Sequence, residues 1–137
     1  MNIKNFVTYQ QALDLKKLGF TEECLYYYDN SKTLHSNYVS GFDFAEIDDL
    51  LTSNNLYYPN LEYIDAPTIF QAQNWLRDFK SIDVHYHYGK KHGKWTYFYG
   101  EEWRQPSYQE EFDSPIEALS AGITACLIFC LIINNVN

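Results

Sequence analysis

Residues 83–99 read DVHYHYGKKHGKWTYFY, and their alternation decides the fold. Val84, Tyr86 and Tyr88 alternate with Asp83, His85 and His87, and Trp95, Tyr97 and Tyr99 alternate with Thr96 and Phe98. A period of two places each set on one face of a strand. The intervening GKKHG, residues 89–93, supplies turn chemistry. The stretch therefore predicts an antiparallel hairpin over 83–88 and 94–99, with one aromatic face buried and a second face, carrying the histidines, open to solvent.

A helix is predicted on each side of this hairpin. Upstream, Ile69, Ala72, Leu76 and Phe79 follow a helical period, Phe70 and Trp75 widen the apolar face, and Pro67 sits where a first-turn proline is tolerated. Downstream, Ser114 caps a helix, Pro115 is its first residue and Glu117 closes a capping box. Ala118, Ala121, Gly122 and Ala125 are small and allow close approach to a sheet or another helix. After Ala125 the helix is apolar nearly all round, and a helix without a polar face needs cover on every side. Residues 118–133 carry no charge but number fewer than the roughly 18–20 that cross a bilayer. The expectation is a buried helix, covered in part by a second subunit.

The first half repeats the theme. Thr8 and Gln11 form a capping-box pair ahead of Ala12, Leu15 and Leu18, and Gly19 offers a left-handed stop. ECLYYYD, residues 23–29, favours a strand with Cys24, Tyr26 and Tyr28 on one face. A turn follows at 29–31, and the partner strand is expected within 33–39. Between 40 and 66 the pattern is weak: helical turns at 44–51, a turn at 52–55, and an extended piece within 56–64 interrupted at Pro59. The whole reads as one α+β domain over 1–137, about three helices packed on an antiparallel sheet made from two β-hairpins, in the order α-β-β-(irregular)-α-β-β-α.

Composition narrows the function. Eighteen Asp and Glu against ten Lys and Arg give a net charge of −8. Nucleic-acid phosphates and anionic lipid both disfavour such a surface, so neither nucleic acid nor a membrane is expected as partner. Three cysteines leave an odd count, Cys126 and Cys130 lie one helical turn apart, and the first fifteen residues lack the apolar core of a signal peptide. A reducing, cytoplasmic setting is the expectation. The nucleotide-loop, zincin and serine-hydrolase motifs are absent, and no cofactor is expected.

The stretches NFVTYQQALDLKKLGF (5–20), APTIFQAQNWLRDF (66–79) and EEFDSPIEALSAGITACL (110–127) resemble a group of small uncharacterised proteins of gut Bacteroidetes and their mobile elements or phages. In that group the last helix tends to carry acidic and basic residues in its later turns, whereas here it reads LIFCLII, a departure that suggests an unusual buried contact. The resemblance implies no activity, cofactor or catalytic residue.

Three constellations are candidates for function. Asp83, His85, His87 and His92 are the most metal-like set, since two histidines share a strand face and zinc takes three or four such ligands. Together with nearby carboxylates they define the enzymatic alternative, a small metal-dependent hydrolase. The alternative structural reading makes them solvent-facing polar residues of the hairpin. Lys90, Lys91 and Lys94 define the second alternative, a nucleic-acid accessory role. The favoured reading is a non-enzymatic protein-interaction or structural module, self-associating. Its warrant is the aromatic surplus, 13 tyrosines among 18% aromatic residues, together with the charge-free last helix. Leu127, Phe129, Leu131, Ile132, Trp103 and Tyr108 are the residues expected at the contact, with no catalytic residue assigned.

Overall fold

A computed structural model describes residues 2–37, 51–57, 59–60, 62–100 and 110–136. Backbone contacts divide the chain into two compact units, Thr8–Pro67 and the remainder, Met1–Val7 with Thr68–Asn137. The fold is α+β, with helices packed on antiparallel sheets in the order anticipated from the sequence.

The Thr8–Pro67 unit opens with α1, Tyr9–Lys17. Thr8 Oγ1 accepts from Gln11 N–H at 3.1 Å, and the Gln11 side chain accepts from Thr8 N–H at 2.8 Å, so both halves of the capping box are present. Gly19 ends the helix at φ +97°, and Phe20 N–H returns to Leu15 O, burying the ring completely. Strand β1, Tyr26–Tyr28, pairs antiparallel with β2, Leu34–Ser36, in the register Tyr27 opposite His35. Asp29 organises the turn by accepting Ser31 N–H and Thr33 N–H. The hairpin gains a third strand, β3, Ile64–Asp65, on its other edge, giving the order β2-β1-β3. Residues 52–55 were expected to form only a turn, but Asn54–Tyr57 form the short helix α2. Ser53 Oγ caps it by accepting Leu56 N–H at 3.2 Å, and the buried carboxylate of Asp65 accepts Asn55 N–H at 2.9 Å. The helical turns expected at 44–51 lie outside the described residues.

The second unit opens with a 3-10 turn at Ile3–Asn5 and continues with α3, Ile69–Lys80. Its cap is Thr68, whose hydroxyl accepts Gln71 N–H, so Pro67 precedes the helix instead of beginning it. Ile69, Ala72, Trp75 and Leu76 are buried, while Phe70 and Phe79, both expected on the covered face, are exposed. Strands β4, Val84–Gly89, and β5, Lys94–Tyr99, form the expected hairpin with Tyr86 opposite Tyr97. Helix α4, Pro115–Val136, lies across both strands. Ser114 Oγ accepts Glu117 N–H at 3.2 Å. The Glu117 carboxylate meets Lys4 Nζ at 2.8 Å, tying the helix start to the chain's N-terminal turn.

Candidate functional site

The row Ala118, Gly122, Cys126 and Cys130 repeats every four residues along α4, and it is buried throughout. Gly122 lets the helix approach closely to Val84 of β4 and Tyr97 of β5. Leu119, Ile123 and Leu127 fill the buried face on one side of that row. Phe129 is half-buried, with its ring 6.1 Å from that of Tyr99.

The opposite face of α4 is open. Ile128 is 50% exposed and Ile132 57%, with Leu131 half-buried beside them; Ile133, on the side of Cys126, is exposed near the helix end. Of the contact residues expected from sequence, Ile132 thus lies on the open stripe, Phe129 and Leu131 border it, and Leu127 belongs to the covered face. Trp103 and Tyr108 lie outside the described residues. Ile128 and Ile133 were missing from the sequence-derived set. For Ile128 the four-residue row of small side chains was the available signal, because residues 124, 128 and 132 fall on the side away from it; Ile133 falls on the row's own side, and the row gave no signal for it. The charge of Lys80 acts on Cys130, which places the end of α3 beside the later turns of α4. The ring of Phe79, 64% exposed, adds apolar surface at that end of α3.

This helix has the dimensions of a membrane span. The most apolar 18-residue window within Pro115–Asn134 has a mean hydropathy of 2.3, so length and composition alone would allow the helix to cross a bilayer, with 39% of that window buried. The buried stripe is accounted for by packing on β4 and β5; the open stripe is the part without cover among the described residues.

Cys126 and Cys130 share a hydrogen bond within the buried face. The S–H of Cys126 donates, which holds that thiol well above its usual range, with burial adding to the effect. The same bond lowers Cys130, and Lys80 assists. Cys24 is buried in the other unit, and burial, followed by the charges of Asp65 and Glu22, raises its thiol above the ordinary range. A thiol held protonated in this way is a poor nucleophile.

On the far side of the β4–β5 hairpin, His85 pairs across the strands with Phe98 and His87 with Thr96, as the alternation requires. These residues line shallow concavities, one of them continuing to Lys91, His92, Lys94 and Glu111. His92 Nδ1 pairs with Glu111, and Lys94 Nζ pairs with Asp113. The Lys94 ammonium holds the Asp113 carboxyl below its usual range, and Asp113 in turn raises Lys94. Asp83, His85, His87 and His92 do not converge: among the described residues no three His, Cys, Asp or Glu side chains come together in a way that could hold a metal ion. The geometry weakens the metal-hydrolase alternative accordingly.

Sequence reasoning also missed the buried polar knot around Asp65. Asp65 N–H donates to Asn55 Oδ1, Asn55 N–H donates to Asp65 Oδ2, and Asn55 Nδ2 donates to Phe20 O. Burial pushes the Asp65 carboxyl up, opposed by the N–H groups of Asn55 and Asn54. Its Oδ1 is fully enclosed without a hydrogen-bond partner among the described residues. The knot joins the end of α1 to α2 and β3, an architectural role that explains a buried acid without invoking catalysis.

No family model, curated protein or solved structure matches the chain.

Proposed function

We propose that the chain is a non-enzymatic module that associates with a second copy of itself through the open stripe of α4. The observation that carries this reading is the exposure of Ile128 and Ile132 on one stripe, with Ile133 exposed at the helix end, in a helix without a charged residue from Ala118 to Asn134. Removing a half-exposed isoleucine from water is worth on the order of 1 kcal/mol, so a contiguous set of them favours an occupant. A second copy suits the stripe because the stripe carries no charge to oppose its own image, although the chain as a whole bears −8. The same net charge makes an anionic bilayer a poorer cover.

Sedimentation velocity on the wild-type chain and on Ile132→Glu tests the reading. The wild type is expected to sediment as an oligomer and the variant as a smaller species with unchanged circular dichroism. Identical sedimentation of the two contradicts it. So does a monomer that co-sediments with phosphatidylcholine vesicles.

A further inference from the structure

Among the described residues the outer edge of β4 is also open, and its hydrogen-bond phase is fixed by its pairing with β5. Residues in an antiparallel ladder alternate between pairs that exchange both backbone hydrogen bonds and pairs that exchange none. Gly100 N–H donates to Asp83 O at 3.0 Å, which makes that pair a bonded one. In the same phase, His85 with Phe98, His87 with Thr96 and Gly89 with Lys94 are the bonded pairs. Val84, Tyr86 and Tyr88 therefore turn their N–H and C=O groups outward, away from β5.

Two independent contacts agree with this phase. Gln73 Nε2 donates to Val84 O at 2.7 Å, from outside the hairpin. On the far edge of β5, Trp95 exchanges both of its backbone bonds with Phe112, at 2.9 and 2.8 Å. The outward backbone groups of Tyr86 and Tyr88 have no strand beside them among the described residues, since β4 and β5 form a two-stranded sheet. Both residues are more than 40% exposed. Such an edge is a template for another strand.

We infer that the outer edge of β4 pairs antiparallel with β4 of a second copy, in a register centred on His87, to give a continuous four-stranded sheet. This extends the self-association reading and shares its occupant, but uses a separate surface. The register follows from the groups that are free. Centring the two-fold on Tyr86 would call on Val84 O, which Gln73 already holds. Centring it on His87 sets Tyr86 against Tyr88 of the second copy and Tyr88 against its Tyr86, so that all four free tyrosine residues exchange bonds. His87 then faces His87 of the second copy in the unbonded pair on the axis.

Charge favours the same arrangement. Residues 84–100 contain no Asp or Glu, which makes this edge a place where two acidic chains can meet. Asp83 lies exposed just before β4, and Lys90 and Lys91 lie exposed in the turn just beyond its end, so an antiparallel pairing brings the acidic end of each edge near the basic end of the other.

Cysteine cross-linking tests the register. An unbonded antiparallel pair holds its Cα atoms about 4.5 Å apart, within the reach of a disulfide. His87→Cys is expected to form a disulfide-linked dimer under mild oxidation, while His85→Cys, set opposite Gly89, and the wild type with its three buried cysteines do not. Tyr86→Pro removes an outward N–H that the hairpin does not use, and should weaken association roughly tenfold or more with the hairpin retained. An oligomeric chain in which His87→Cys fails to cross-link, or cross-links no better than His85→Cys, overturns the edge pairing and leaves the α4 contact standing. Cross-linking that persists when Ile132→Glu is added supports the edge and counts against α4 as the sole contact. A chain that is monomeric and does not cross-link overturns both.

Discussion

Gly122 of α4 lies so close to Val84 of β4 that a Cβ placed on the glycine would fall 2.8 Å from Val84 Cγ1 and 3.0 Å from Tyr97 Cβ. This contact brings the helix down onto the hairpin, so it positions the open stripe on the other side. Replacing glycine by alanine inside an exposed helix normally gains about 1 kcal/mol. Here the added methyl meets a buried, β-branched side chain and the root of a buried tyrosine, neither of which can swing aside. Overpacking of this kind costs about 1–3 kcal/mol. Gly122→Ala is expected to destabilise the chain in urea denaturation by roughly 1 kcal/mol or more, and by less when introduced into a Val84→Ala background, where the nearer contact is gone. A stabilised single variant would show that the helix stands further from the sheet.

Asp65 predicts a structural loss and a pH trend. Asp65→Ala removes the acceptor of a buried Asn55 N–H and should cost about 1–3 kcal/mol in denaturant unfolding. The carboxyl is raised above its unfolded value of about 3.9 by burial, so its ionised form is disfavoured in the folded state. The corresponding stability is fully present below about pH 3.9 and is lost as pH rises through the folded value. Comparing wild type with Asp65→Asn across the acid range should therefore show the wild type losing ground as pH rises. A difference that is flat with pH, or of the opposite slope, argues against an enclosed ionising group.

Asp29 should behave in the opposite sense. Thr33 N–H, the His35 ring and Ser31 N–H hold its carboxyl below the usual range. The stability it brings is present above the unfolded value of about 3.9 and is lost as pH falls through the lower folded value. Asp29→Asn should lower the melting temperature at neutral pH and narrow the gap to wild type in acid. Because the group is at the surface, the effect should also shrink in high salt.

The elements with strong local signals were legible in the sequence. Lys94–Tyr99 has the bounds that alternation gave it, Thr8 with Gln11 and Ser114 with Pro115 marked two helix starts, and Gly19 marked a stop. Pro67 misled because the better cap, Thr68, lies one residue on. Strand β3 has only two residues, and α2 is bonded to Asp65, ten residues downstream of Asn55. Neither has a local period to detect, and both rest on tertiary pairing. For α4, composition showed that cover was needed but not where. The buried side is fixed by which residues can approach Val84 and Tyr97, so Leu127 went under the helix and Ile128 stayed outside.

Self-association through α4 requires that the open stripe find its cover in another copy of the chain. Light-scattering mass across a dilution series of purified protein tests this most directly. The expected result is a mass of at least twice 16.2 kDa at the concentrated end, shifting toward 16.2 kDa with Ile132→Glu. A mass of 16.2 kDa for the wild type at every concentration would contradict it.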